Sequence, residues 1–172
     1  MKNETKQTAG QPSAISVASG NSQAPVSEEM ELAVILSVVA QSTSICEVGE
    51  RLRPEMFSHP DYCLVYRAML ALYQHEADID MLSIEREMRR LDPEHAARLN
   101  GLGFIADRML KVRNASFIRT YAAWVIRCWV LRQAILKMTV RIGEAQRADA
   151  DVVGLLGATH KDLEKLEEVL PK

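Results

Sequence analysis

Cysteine is scarce and odd in number: the 172 residues hold three, Cys46, Cys63 and Cys128, far apart within apolar periodic segments. That spacing excludes a disulfide framework and reads as reduced, buried thiols, so a cytoplasmic protein is expected. Long hydrophobic runs are missing too. No apolar stretch reaches the roughly 18 residues of a membrane span, and the N-terminus lacks the apolar core of a secretory signal. A soluble, non-exported chain with no membrane partner follows. The Asn-x-Ser/Thr patterns at Asn3 and Asn114 are then chance matches, and Asn114 suits a helix cap better. Neither sign of charge is in excess. A net charge of −2 argues against nucleic-acid binding by bulk attraction and leaves only local patches. Strand-like alternation is absent throughout, which leaves an all-α fold.

Catalytic motifs are also lacking. A nucleotide-hydrolysing P-loop requires G-x-x-x-x-G-K-[ST], because backbone amides cradle the phosphates while lysine reaches the terminal one. Gly154, Gly157 and Lys161 have the wrong spacing for it. His75 and Glu76 begin like H-E-x-x-H, but Ile79 stands where the second metal-binding histidine is needed. Glu76, Asp78, Asp80 and Glu87 have the spacing of calcium-loop oxygen ligands, yet Met81 replaces the glycine of the sharp turn and Leu82 to Glu87 read as helix. The simpler reading is a solvated loop with Asp80 as a helix cap. His59, His95 and His160 lie among solvent-facing positions without evident cysteine or carboxylate partners, and read as surface residues. The sequence therefore points to no catalytic residue, no metal and no cofactor.

What is present is unbroken heptad spacing. Phe117, Tyr121, Trp124, Cys128, Leu131, Ile135, Met138 and Ile142 step by four and three, and a second row, Ile118, Ala122, Val125, Trp129, Arg132, Leu136 and Thr139, runs beside it. Together they predict a long helix with a wide apolar face. Roughly 30 helical residues span about 45 Å, more than a domain of this size covers alone, so part of the face is expected to meet another helix or another chain. The helix is expected to end near Arg147. The short polar stretch 148–151 then forces an antiparallel return carrying Val152, Leu156, Thr159, Leu163, Leu166 and Leu170 at the same steps. Residues 114–172 thus read as a helical hairpin. Gly154 and Gly157 weaken the start of the return helix by about 1 kcal/mol each relative to alanine.

Upstream, residues 1–26 are Ser, Gln, Gly, Ala and Thr with almost no large apolar side chains. They read as a disordered tail. Residues 27–113 read as a compact head of about six short helices. Ser27 opens the first, with Glu28 and Glu29 in its first turn and an apolar run from Leu32 to Val39. Ser44 and Glu47 have capping-box spacing for a second that ends near Leu52 and is stopped by Pro54. Pro60 starts a third, striped by Tyr62, Val65, Tyr66, Met69, Leu70 and Tyr73. Asp80 caps a fourth carrying Leu82, Ile84, Met88 and Leu91, and Asp92-Pro93 ends it and opens a fifth. A break at Asn100 to Gly103 precedes a sixth, from Phe104 to about Lys111.

The long helix is basic: Arg113, Arg119, Arg127, Arg132, Lys137, Arg141 and Arg147 face the single acid Glu144. Either this is a surface for nucleic acid or an acidic partner, or it is an outer face paired with Asp162, Glu164, Glu167 and Glu168 of the return helix; the second reading is favoured. Trp124 and Trp129 sit on different rows. Both can be core residues, or one can anchor a partner interface, where tryptophan is enriched.

Taken in order, the motifs resemble the N-terminal domain of the DnaB family of bacterial replicative DNA helicases, over about Ser27 to Leu170. The family's Glu-Ala-Glu opening corresponds to Glu29-Met30-Glu31, and its Leu-x-Pro-Glu-x-Phe to Leu52, Pro54, Glu55 and Phe57. Its next Pro and aromatic-x-Ala correspond to Pro60, Tyr66 and Ala68. Asp78-Ile79-Asp80 with Ser83 resembles a Pro-Ile-Asp-x-x-Thr junction. Ile118, Tyr121 and Ala122 match Ile-x-x-Tyr-Ala, and Val130-Leu131-Arg132 matches Val-Leu-Arg. Leu36, Asp78, Arg113 and Tyr62 depart from the usual glycine, proline, proline and histidine, as in a divergent member.

The resemblance implies a domain without a catalytic site, so that this chain alone is not an enzyme and the motor domain lies elsewhere in the helicase. It also implies hairpins that pair two chains, a trimer of dimers in the full protein, docking of the primase C-terminal domain, and only indirect contact with DNA. The residues expected to carry partner binding and self-association are Trp124, Trp129, Leu131, Ile135, Leu136, Met138, Ile142, Leu156, Leu163 and Leu166. Two rivals remain open: the helicase-interacting domain of a primase, and a small helical nucleic-acid-binding regulator.

Overall fold

The computed structural model describes residues 25–99, 101–103, 105, 115–147 and 149–171. Its described elements are all helical: α1 (Glu28–Ala40), 3-10 turns at Ser42–Glu47 and Pro54–Met56, α2 (Pro60–Gln74), α3 (Met81–Leu91), α4 (Pro93–Leu99), a 3-10 turn at Ala115–Phe117, α5 (Ile118–Ala145) and α6 (Val152–Glu167). The all-α expectation holds. The tail expected over residues 1–26 falls outside the described residues up to position 24, as do the Asn114 cap and, apart from Ile105, the sixth short helix.

α1 is the centre of the core. Val34, Ile35, Leu36 and Val38 are buried, and α5 packs along α1 through Ile118, Ala122, Val125 and Ile126. A helix apolar on every side belongs in such a place. The second expected helix shrinks to the 3-10 turn Ser42–Glu47. Ser44 Oγ donates to Ser37 O (3.3 Å) and is spent on α1, so the expected capping box with Glu47 does not form. Pro54 opens the next 3-10 turn, where its fixed φ is an advantage.

α2 closes with Ala77 N donating to Leu72 O and Glu76 N to Tyr73 O, and Glu76 takes a left-handed φ of 53°. This is the paired-bond termination usually given to glycine. Asp80 caps α3 as expected: its carboxylate accepts from Leu82 N and Ser83 N, both at 2.8 Å, while Ser83 Oγ accepts from Asp80 N at 2.9 Å. The reciprocal bonds satisfy donors that a helix start leaves open. They also hold the Asp80 carboxyl below its usual range.

Two expectations about polar side chains are corrected. His95 is three-quarters or more covered and its Nε2 lies 2.8 Å from Asp61 Oδ1, linking α4 to the start of α2. His59 Nδ1 accepts from Asp61 N and its ring stacks on Tyr62. Neither is a bare surface histidine. The thiols divide as well: Cys128 is buried, Cys63 is half-buried and Cys46 is exposed. Burial pushes the Cys63 and Cys128 thiols up from their ordinary value, which makes them inert rather than reactive.

Tyr66 packs its ring on Phe57 at 4.8 Å, but its buried hydroxyl has no hydrogen-bond partner among the described residues. An unpaired buried hydroxyl costs roughly 1–3 kcal/mol. Tyr66→Phe is therefore expected to leave stability unchanged or raise it by about 1 kcal/mol in urea unfolding. A loss of more than about 1 kcal/mol would show that the hydroxyl is satisfied.

Candidate functional site

α5 outruns the head, and its two apolar rows part company. The second row docks: Ile118, Ala122 and Val125 are buried, Trp129 is packed against the core, and Arg53 lies over its ring at 5.6 Å. Arg132 ends the docked section by donating to Met56 O (2.7 Å) and Pro25 O (3.0 Å). Beyond that strut the row continues as Leu136, which is exposed.

The hairpin forms through α5 positions outside both predicted rows of that helix, while on α6 it keeps Thr159 and Leu166 of the predicted seam. Val130, Ala134, Lys137, Arg141 and Glu144 of α5 are the covered positions toward α6, and Leu155, Ala158, Thr159, Asp162 and Leu166 are their counterparts. The α5 set steps by four and three, and the α6 set keeps to one side of its helix. Asp162 joins the helices by accepting from Lys137 Nζ (2.8 Å) and Arg141 Nη2 (2.7 Å), and Arg141 also reaches Glu144. Much of the contact is therefore polar. Leu166 is 6% exposed and belongs to the chain's own core.

In the first row Cys128 is buried and Tyr121 packs on the core, and what remains outside is the row from Leu131 onward. Leu131, Ile135 (45% exposed), Met138 and Ile142 lie about 110° around α5 from the contact with α6, and Val152, Leu156 (65% exposed) and Leu163 lie on the corresponding flank of α6. In an antiparallel pair these flanks coincide. Seven apolar residues thus form one two-helix face without a charged side chain among them. Leu136 and Val140, also exposed, turn to another side of α5. At the head end the same face carries Trp124, 49% exposed. The two tryptophans have therefore separated: Trp129 is a core residue and Trp124 is open.

The basic residues of α5 are mostly engaged. Arg119 pairs with Glu47 (2.7 Å), Lys137 and Arg141 with Asp162, Arg147 with Asp149 (3.3 Å), and Arg132 with backbone carbonyls. Lys137 first, then Arg141, holds the Asp162 carboxyl at about 2. A carboxyl depressed on folding adds stability above its ordinary range and loses it as pH falls through the folded value. The hairpin is expected to loosen as pH drops from about 4 to about 2, followed as protease sensitivity of the 146–151 connection or as ellipticity. Asp162→Asn should abolish that acid step. Its persistence in the variant would assign it to another group.

The comparisons with known proteins fit this geometry. The family model for the DnaB-like helicase N terminal domain matches residues 23–127, more than half of the chain. The chain belongs to this family. The replicative DNA helicase DnaB of Rhodothermus marinus is 27% identical to this DnaB-like domain over 146 residues, 84% of the chain but only 15% of that protein. The chain thus spans about 15% of that relative's length. A crystal structure of the N-terminal domain of DnaB helicase from Mycobacterium tuberculosis superposes with a TM-score of 0.69 at 26% identity, covering 83% of this chain and 99% of that one. No described helix is long and apolar enough to cross a membrane. Among the described residues no group of three or more His, Cys, Asp or Glu is placed to hold a metal.

Two residues make contacts that the sequence does not disclose. Glu31 was only part of a motif, yet it is buried and accepts from Ser58 N, Ser58 Oγ and His59 N. Arg132 reads in the sequence as part of the basic face, with acids of the return helix as its expected partners, whereas the structure turns it to the carbonyls of Met56 and Pro25.

Proposed function

We propose that this DnaB-like domain is a non-catalytic assembly and docking module of a replicative DNA helicase. Two copies pair through the face of Leu131, Ile135, Met138, Ile142, Val152, Leu156 and Leu163. In the complete helicase such pairs join as a trimer of dimers, the ring receives the primase C-terminal domain, and the ATP-driven motor and its DNA contacts reside in other parts of the protein. The observation that carries this reading is the contiguous exposed apolar face left outside both the head and the hairpin contact. Exposed contiguous patches of this kind mark association surfaces. Its most economical complement is the same face on a second copy, which closes two hairpins into a four-helix bundle.

Light scattering tests the assembly half, with a dimer or larger species expected at tens of micromolar as an order of magnitude. A strict monomer at the highest soluble concentration would overturn it. Calorimetric titration with a cognate primase C-terminal domain tests the docking half, and absence of binding at high micromolar concentration would leave assembly alone. The nucleic-acid regulator gains no support from the basic helix, because its cations are largely engaged within the chain.

A further inference from the structure

At the head end of the open face, Trp124 borders a groove of about 610 Å³ lined by Thr120, Ala123, Arg127, Val130, Leu131, Leu170 and Pro171. Its floor is aliphatic and aromatic. Its one charge is Arg127, whose guanidinium lies over the Trp124 ring at 5.5 Å. Among the described cations of α5, Arg127 alone has neither a carboxylate nor a carbonyl partner. The indole flanks one side of the guanidinium and no carboxylate among the described residues takes up its donors, which leaves them for bidentate recognition of a carboxylate. A second depression, of about 550 Å³, shares Thr120, Ala123 and Pro171 with the first and is lined also by Arg51 and by Arg119, which is paired with Glu47.

We infer that this groove receives a helical segment of another protein in which a carboxylate stands one helical turn from a leucine, isoleucine or aromatic side chain. The apolar residue would fill the space beside Trp124, Leu131 and Leu170, and the carboxylate would meet Arg127. Leu131 borders both, and the charge of Arg127 is what sets this end apart from the face of Ile135 and Ile142. That face holds no cation and is suited to a second copy; the Trp124 end holds an unmatched one and is suited to an acid. The inference rests on the docking half of the reading above and not on self-association.

Selection of a phage-displayed library of helical 12-residue peptides on the full chain tests it, with counter-selection on Arg127→Gln. Enriched peptides should carry Asp or Glu three or four positions from a large apolar residue, and should lose about tenfold or more in affinity on Arg127→Gln or on exchange of the acid for its amide. Neutral or basic consensus peptides, equal binding to Arg127→Gln, or no enrichment over Trp124→Ala would overturn it. Trp129→Phe makes Trp124 the sole indole reporter. If simple dilution of that variant shifts its emission, a second copy covers the groove and the inference falls. Acidic-helix binding without binding of the primase domain would sustain this site while removing primase as its partner.

Discussion

Ile135→Glu is expected to convert the self-associating chain into a monomer, while Leu136→Glu, one residue on, leaves association within a few-fold of the parent. Both side chains are exposed and aliphatic in the isolated chain. Adjacent residues on a helix are turned by about 100° from one another. Ile135 lies with Leu131, Met138 and Ile142 beside Leu156 and Leu163; Leu136 continues the row that docks on the head and has left the two-helix face. In a two-fold pair each substitution enters twice, so Ile135→Glu places two carboxylates in the apolar contact. At several kcal/mol for each unpaired charge, association should weaken by about 100-fold or more. Sedimentation velocity across a concentration series measures this, with unchanged ellipticity showing that the fold survives. Parent-like association of Ile135→Glu would remove this face from the interface. Equal losses in both variants would mean that association uses the whole outer half of α5.

The all-helical fold was legible because the strongest signals are local. Asp80 with Ser83, the Pro60 and Pro93 starts, and the long four-three spacing of α5 each follow from short-range geometry, and each appears in the structure. Which row faces which neighbour was not legible. Heptad spacing states that residues share a side of a helix, and is silent on what they meet. Two rows run along α5, and the sequence assigns Leu131, Ile135, Leu136, Met138 and Ile142, drawn from both, to self-association while reading the four-three seams as those of the hairpin. In the structure the row containing Ile118 and Val125 takes the head, a row rich in Lys137, Arg141 and Ala134 takes α6, and the most regular apolar row is left over from Leu131 onward. That outcome is informative because a chain folding alone would gain by burying the more hydrophobic row. The exposed row is therefore the one with a use outside the chain. The short turn at Ser42–Glu47 was misread for a related reason: a serine and a glutamate at capping distance look alike whether the serine caps its own helix or, as here, bonds to the carbonyl of a neighbour.

The largest loss of stability should come from Glu31→Ala. Glu31 is 1% exposed. Its carboxylate accepts from Ser58 Oγ (2.6 Å), Ser58 N (2.7 Å) and His59 N (3.1 Å), the residues that lead into α2. One turn earlier on the same side of α1, Glu28 Oε1 accepts from Tyr62 OH at 3.0 Å. Two acids of α1 thus hold the start of α2, and the α2 dipole favours negative charge there. Of the motif Glu29-Met30-Glu31, the second acid is the one folded inward; Glu29 is exposed. Removing the carboxylate leaves two backbone amides and a hydroxyl without their acceptor, a loss of about 3–4 kcal/mol. In a domain of this size that lowers Tm by roughly 10 °C. Glu31→Gln keeps one acceptor oxygen but turns an amide donor toward other donors, so it should fall between the parent and Glu31→Ala. Ser58→Ala should cost about 1 kcal/mol in the parent and nothing further in Glu31→Ala, because the hydroxyl's acceptor is already gone. Urea unfolding of the four proteins closes this cycle. A Glu31→Ala loss below about 1 kcal/mol, or full additivity with Ser58→Ala, would show that solvent replaces these bonds and that the entry to α2 is held by the stacking of His59 on Tyr62 instead.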